Sequence, residues 1–113
     1  MSEPLLDEVD RLLAEAEDAD DVLRGTVDAL VGLPGIVWAG IGLVEDGDVS
    51  LGPVSGTPDA ARRTRTEVVF DGSVVGEIWV DGEIDGSTLE DVARRIAPQV
   101  LIGWDTGGDV WEP

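Results

Sequence analysis

Two Asp-Gly pairs, each flanked by apolar segments, constrain the fold of this chain more than any other feature of its sequence. Asp46-Gly47 lies between the segment 36–44 and a run that begins at Val49, and Asp71-Gly72 lies between the segments 67–70 and 74–80. Both central residues of a two-residue hairpin turn must tolerate positive φ, which favours Asp-Gly. The sequence therefore predicts two antiparallel hairpins, with four strands in all.

Amphipathic helices are predicted on both sides of the hairpins. The segment 5–16 and a second segment that ends at Val31 carry apolar residues at spacings of three and four, which is the period of one helix face. Whether they form one helix kinked near Asp18 or two separate helices is open. A third helix is predicted after Ser87-Thr88-Leu89-Glu90, which has the pattern of a capping box. Pro98 is expected to kink this helix.

The alternation of side chains along the strands predicts the two faces of the sheet. One face is apolar and is expected to pack on the helices; it comprises Val37, Ala39, Ile41, Leu43, Val74, Gly76, Ile78 and Val80. The other face is mixed and comprises Trp38, Gly40, Gly42, Val44, Val75, Glu77, Trp79 and Asp81. Since glycine has no side chain, the mixed face is predicted to be locally hollow, as a binding surface would be.

The composition excludes most catalytic chemistry. The 113 residues include no Cys and no His, so the chain has no thiolate nucleophile, no imidazole base and no Cys/His zinc site. The acidic segment 81–86 begins like a calcium loop, but Val92 occupies the twelfth position, where that loop requires Glu. We therefore predict a protein that is not an enzyme and that has neither a metal site nor a cofactor.

The chain is strongly acidic, with 25 Asp and Glu residues, 7 basic residues and a formal net charge of −18. At molar salt the screening length falls to about 3 Å, so this composition suits a salty cytoplasm and resembles that of a haloarchaeal protein. The dense basic cluster Arg62, Arg63 and Arg65 offers too few cations for nucleic-acid binding. Neither a membrane span nor a signal peptide is predicted, and we expect a cytoplasmic protein.

Two parts of the sequence resemble the motifs of GAF domains. The first is WAGIGLV at 38–44, followed by VSLGPVSGTP at 49–58. It is similar to the variant found in free methionine-(R)-sulfoxide reductases. The second is TEVVF at 66–70, followed by VVGEIWVD at 74–81. The resemblance covers most of residues 20–104.

The resemblance implies an α+β fold, an α/β sandwich in which the N- and C-terminal helices pack on one face of a central antiparallel sheet. We expect one domain over 1–113, with its core at about 20–104, an N-terminal helix within 1–19 and an irregular tail at 105–113. Between the two motifs the reductases carry several tens of residues, which supply the catalytic cysteines and cover the pocket. Only the segment 59–65 lies there in this chain, so the resemblance is to a truncated GAF domain.

Two functional hypotheses follow. The first is a non-enzymatic regulatory or protein-interaction module in signalling. Because the family's terminal helices often pair with a second copy, we expect a homodimer whose interface comprises Leu5, Val9, Leu12, Leu13, Ile96, Val100 and Trp104. The alternative is a small-molecule sensor with an open pocket lined by Trp38, Gly40, Gly42, Arg62, Arg63, Arg65, Glu77 and Trp79.

Plainer interpretations stand beside both hypotheses. In these interpretations the arginines have no binding role and simply neutralise nearby carboxylates on an exposed loop, and the tryptophans belong to the core. A third function, methionine sulfoxide reduction, requires a thiol that the chain does not have.

Overall fold

The described part of the chain folds into three helices and four strands. The computed structural model describes residues 3–16, 18–45 and 48–107, and the side chains of 5–16, 18–44 and 48–101. In chain order the elements are helices α1 (Glu3–Glu15) and α2 (Ala19–Val31), strands β1 (Ile36–Glu45) and β2 (Asp48–Gly56), a 3-10 turn (Ala60–Arg62), strands β3 (Arg63–Phe70) and β4 (Ser73–Gly82), and helix α3 (Gly86–Gly107).

The strands form one antiparallel sheet in the order β2-β1-β4-β3. Both predicted hairpins are confirmed, and the pairing of β1 with β4 joins them into one sheet. In the turn between β3 and β4, Asp71 and Gly72 have φ of 52° and 80°, as an Asp-Gly hairpin requires. The other pair, Asp46-Gly47, lies outside the described residues.

All three helices lie on the same side of the sheet, but only α2 and α3 pack directly on the strands. Helix α2 contacts β1 and β2, α3 contacts β3 and β4, and α1 contacts α2 and α3. The sheet residues buried beneath the helices are Ile36, Ala39, Ile41, Leu43, Val68, Ile78 and Val80. The predicted α+β sandwich with helices on one face is thus confirmed. We call the opposite side of the sheet the open face.

Helices α1 and α2 are separate, which settles the alternative that the sequence left open. Asp18 caps α2, because its side chain accepts a hydrogen bond of 3.0 Å from the N–H of Asp21. Asp20 and Asp21 in the first turn also suit the positive end of the helix dipole. In the described part of the chain, no helix has the length and the apolar character needed to cross a membrane.

Two expectations about α3 are wrong. The carbonyl of Asp85 accepts the first helical hydrogen bond, from the N–H of Leu89, so the helix starts before Ser87 and Ser87 is not its cap. The helix continues past Pro98 to Gly107, so the irregular tail does not begin at Asp105. Residues 108–113 lie outside the described part of the chain.

Two β-bulges change the predicted alternation. A register shift between Ile36 and Trp38 inserts Val37 into β1, so Ile36 is buried in the core and Val37 is exposed. In β4 a second shift makes Val75 the additional residue, so that Val75 packs against the core and Val74 is exposed. The predicted core positions of Val37 and Val74 are therefore wrong, because a bulge reverses the alternation on one side of it.

Candidate functional site

The register of the sheet brings together aromatic and charged residues that are distant in the sequence. Directly opposed residues on the open face form three rows, which run from β1 across β4 to β3 as Trp38–Asp81–Arg63, Gly40–Trp79–Arg65 and Gly42–Glu77–Glu67. Apart from Arg62, every residue predicted to line a pocket lies in these rows. The rows therefore form the candidate functional site at the centre of the open face.

The arginines of this site lie on a strand and not on the predicted exposed loop. Arg63 and Arg65 belong to β3, which begins four residues before the predicted segment 67–70. Arg62 ends the 3-10 turn before β3 and donates a hydrogen bond of 3.5 Å to the carbonyl of Gly35. The structure therefore joins two of the three predicted arginines to the tryptophans and excludes Arg62.

A buried ion pair organises one end of the site. Arg63 donates two hydrogen bonds to the carboxylate of Asp81, from Nε at 2.7 Å and from Nη2 at 2.9 Å. The backbone N–H of Asp59 donates a third, at 2.6 Å. Since Asp59 lies between β2 and β3, the Asp81 carboxylate fastens this connection to the end of β4. Sequence analysis placed Asp81 on this face beside Trp79 but missed its ion pair with Arg63, and it missed Asp59 altogether.

The surroundings of Asp81 stabilise its charged form. The side-chain hydrogen bonds from Arg63 lower the pKa of the Asp81 carboxyl below its ordinary value of 3.8, and the N–H of Asp59 acts in the same direction. Burial opposes this shift, because an ionised group is poorly solvated inside a protein. The same pair raises the pKa of the Arg63 guanidinium above its ordinary value. Asp81 therefore remains a carboxylate at neutral pH and is a poor candidate for a general acid.

Trp38 fills the hollow that glycine was predicted to leave. Its side chain is only 4% exposed, and a Cβ added to Gly40 would lie 2.8 Å from the Cη2 atom of the Trp38 ring. The guanidinium of Arg63 lies 4.5 Å from the centroid of the same ring, within the range of a cation–π interaction. The indole is thus held between Gly40 and Arg63, and the surface above Gly40 is occupied.

The second glycine position is filled as well. A Cβ added to Gly42 would lie 2.5 Å from a methyl group of Val49 on β2. The prediction of a hollow at Gly40 and Gly42 is therefore wrong, because side chains from the same sheet lie over both positions. Glycine at these two sites leaves room for the Trp38 ring and for the Val49 methyl group.

Trp79 is the more accessible aromatic residue of the site. Its Nε1 donates a hydrogen bond of 2.7 Å to Glu77, and the guanidinium of Arg65 lies 5.0 Å from its ring centroid. Arg63 contacts this ring too, at 5.3 Å. The two tryptophans and two arginines therefore form one cation–π cluster, with Arg65 at its exposed end.

Exposed apolar residues flank the cluster on its β2 side. Val54 lies opposite Gly40 and Leu51 lies opposite Gly42; their side chains are 49% and 45% exposed. At the far end of the sheet Val69 and Val74 form another exposed pair. The open face thus combines an aromatic and cationic centre with apolar margins, a composition typical of protein-interaction surfaces.

The residues predicted to form a dimer interface lie mainly inside one chain. Leu5, Val9, Ile96 and Val100 belong to the hydrophobic core, because α2 and α3 of the same chain cover the apolar stripe of α1 and the sheet covers that of α3. They offer no surface to a second copy, and this part of the prediction is wrong. Leu12 and Leu13 are half-buried, and the side chain of Trp104 lies outside the described residues.

No protein-family model matches the chain, and no curated protein matches it.

Comparison of the structure finds proteins with the GAF fold. A GAF domain of a phosphoenolpyruvate-protein phosphotransferase from Coxiella burnetii superposes with a TM-score of 0.76 at 10% identity, over 94% of this chain and 96% of that one. A putative GAF sensor protein from Burkholderia vietnamiensis gives 0.74 at 18% identity, over 96% and 91%. The substrate complex of free methionine-R-sulfoxide reductase from Neisseria meningitidis gives 0.72 at 13% identity, over 93% and 91%.

These similarities show the fold, and at that level the resemblance seen in the sequence is confirmed. The similar structures include a reductase, a domain of a phosphotransferase and a putative sensor protein, so they share a fold and not one function. Function must therefore be argued from the side chains of the site.

Proposed function

We propose that this GAF-fold chain is a cytoplasmic, non-enzymatic regulatory module that binds another protein through its open face. The observation that carries the proposal is the occupied surface above Gly40 and Gly42. Trp38 and Val49 lie where a small molecule would have to enter the sheet surface. What remains on this face is broad and mixed, which suits a protein partner better than a concave pocket would.

The chemistry of the site supports a non-enzymatic role. Asp81 is engaged by Arg63 and by the Asp59 amide, and Glu77 accepts the indole N–H of Trp79. The chain has no Cys or His to act as a nucleophile or general base. Reduction of free methionine sulfoxide by the purified protein with a thiol reductant would overturn this part of the proposal.

A small-molecule sensor is the second candidate, and one observation favours it. Arg65 is exposed beside the half-buried ring of Trp79, so a small anion with an apolar group could bind both. Native mass spectrometry from concentrated ammonium acetate separates the two functions, because it reports retained ligands directly. We expect a protein mass without an added small molecule. Additional mass on each chain would favour the sensor.

Replacing Leu51 with aspartate is expected to abolish partner binding while leaving the fold intact. Leu51 is exposed on the open face, so a carboxylate there would be desolvated by a partner but not by the chain itself. In affinity purification from the source cells in molar salt, partners of the wild type should be lost. A purified partner should then bind the variant at least about tenfold more weakly, a difference of about 1.4 kcal/mol.

The matched control is Ala14→Asp, which makes the same charge change on an exposed position of α1. It should retain the same partners as the wild type. Partners that remain bound to the Leu51 variant, or that are lost equally with the control, would contradict the use of the open face.

We also propose that the protein comes from a halophile, and its stability should therefore fall with salt. The difference between 25 acidic and 7 basic residues leaves 18 uncompensated negative charges. Lowering the salt from about 3 M to about 0.1 M lengthens the screening distance to about 10 Å and restores their repulsion. Thermal unfolding at both concentrations should give a midpoint several degrees lower at low salt. An equal or higher midpoint at low salt would exclude a halophilic adaptation.

A further inference from the structure

Strand β3 lies at an edge of the sheet and has the features of a strand that can pair again. It is 8 residues long and pairs with β4 without an inserted residue of its own. In the described part of the chain, no strand pairs with its outer side. The sequence RTRTEVVF contains neither proline nor glycine. Edge strands without such interruptions are templates for pairing with another chain.

The other edge strand, β2, is less suited to pairing. Pro53 lies within it and has no N–H to donate. Its register with β1 also shifts between Gly40 and Gly42, which interrupts the regular spacing of its backbone groups. A strand of another chain is therefore expected to pair with β3 and not with β2.

The charges on β3 suit a partner strand with the same sequence. On the open face β3 presents Arg63, Arg65, Glu67 and Val69, which alternate with the helix-side residues Thr64, Thr66 and Val68. In a chain with a net charge of −18, this edge carries more arginine than carboxylate. Two copies therefore repel each other less along β3 than along their acidic surfaces.

We propose that β3 pairs in antiparallel orientation with β3 of a second copy, with Thr66 opposite Thr66. A two-fold axis perpendicular to the sheet relates such strands and keeps both open faces on the same side. In this register each Arg65 lies opposite Glu67 of the second copy, which gives two attractive cross-strand pairs. The result is a dimer with one continuous antiparallel sheet.

Neighbouring registers are less favourable. Centring the axis on Arg65 places Arg65 opposite itself, and centring it on Glu67 places Glu67 opposite itself. Like charges directly opposed across a strand pair are destabilising. The axis through Thr66 avoids both repulsions, and Arg63 remains free to hold Asp81.

A single cysteine tests the register directly, because the chain has none of its own. In the proposed dimer a Thr66→Cys variant has its two cysteines directly opposed, about 5 Å apart between Cβ atoms. Mild oxidation should convert most of the protein to a disulfide-linked dimer on non-reducing gels. The matched control is Thr64→Cys, an exposed position on the same strand, whose two copies would lie about 13 Å apart. It should remain monomeric on the gel.

Exchanging the charges of Arg65 and Glu67 gives a second, independent test, in which the dimer dissociation constant is measured. Either Arg65→Glu or Glu67→Arg alone should raise the dimer dissociation constant at least about tenfold in sedimentation velocity. The double variant restores the opposite charges and should lie within about threefold of the wild type. Arg94→Glu and Glu90→Arg make the same charge changes on α3 and should have little effect. Circular dichroism of each variant confirms that it is folded.

Three results would overturn the proposal. They are a wild-type protein that is monomeric at all accessible concentrations, equal cross-linking of the two cysteine variants, and a double charge exchange that fails to restore the dimer. This dimer uses the edge of β3 and leaves Leu51 uncovered, so the Leu51→Asp variant should still dimerise. The proposed binding function and the proposed dimer can therefore be refuted independently of each other.

Discussion

Replacing Asp81 with alanine is expected to lower the free energy of unfolding by about 3–5 kcal/mol. The Asp81 side chain is 0% exposed and accepts hydrogen bonds from Arg63 and from the Asp59 amide. Without the carboxylate, the Arg63 guanidinium stays packed against Trp38 but loses its countercharge. Thermal unfolding in molar salt should show a midpoint lower by at least about 10 °C.

The control for this variant removes a carboxylate from an exposed ion pair. Asp91 pairs with Arg94 on the surface of α3, and exposed pairs contribute about 0–1 kcal/mol. The Asp91→Ala variant should therefore unfold close to the wild type. Equal losses of stability in the two variants would show that the buried position of Asp81 has no special effect.

The contribution of Asp81 should also depend on pH. Because the folded-state pKa of Asp81 lies below the ordinary 3.8, the carboxylate stabilises the native state fully above about pH 4. This stabilisation is lost as the pH falls through the folded-state pKa. The difference in stability between the wild type and the Asp81→Ala variant should therefore be constant at neutral pH and should narrow below about pH 4. A difference that stays constant into strong acid would contradict a role for the ionised carboxylate.

The helices and hairpins could be predicted because each carries a local signal. The Asp71-Gly72 turn fixes its hairpin by backbone conformation, and the apolar spacing of the helices fixes their buried faces. The first half of β3 carries no such signal, since Arg63 to Thr66 alternates arginine with threonine and has no apolar side. That segment is a strand because β4 offers it hydrogen bonds, which a single sequence does not reveal.

The sequence predicts which residues form the candidate site, but not the shape of that site. Alternation places Trp38, Glu77 and Trp79 on one face, and the structure agrees. It does not say that the Trp38 ring turns over Gly40, because side-chain rotation has no periodic signal. It also does not reveal that Asp81 and Arg63 meet, since their contact depends on the register between β3 and β4.

The dimer prediction failed for a related reason. An apolar helical stripe shows that a surface is buried but not what buries it. Here other elements of the same chain cover both residues: α2 and α3 pack on α1, which carries Val9, and the sheet packs on α3, which carries Ile96. Self-association is therefore left to other surfaces. Charge on a strand edge is informative only after the topology identifies which strand lies at the edge.

Replacing Trp38 with alanine is expected to destabilise the protein by about 3–5 kcal/mol and to create the hollow that the sequence suggested. The indole is almost fully buried between Gly40 and Arg63, so its removal costs the burial of a large apolar group and leaves a cavity. Added indole should bind this cavity and restore part of the stability. At about ten times its dissociation constant, the gain is about 1.4 kcal/mol.

The control is Phe70→Ala, which removes an aromatic side chain that is already partly exposed. It should cost less stability, and indole should not stabilise it, because no enclosed space is created. If indole stabilises the wild type as much as the Trp38→Ala variant, the sheet surface already contains a pocket. That result would refute the inference that this surface is occupied, on which the proposed protein-binding function rests. The small-molecule sensor would then become the better explanation of the open face.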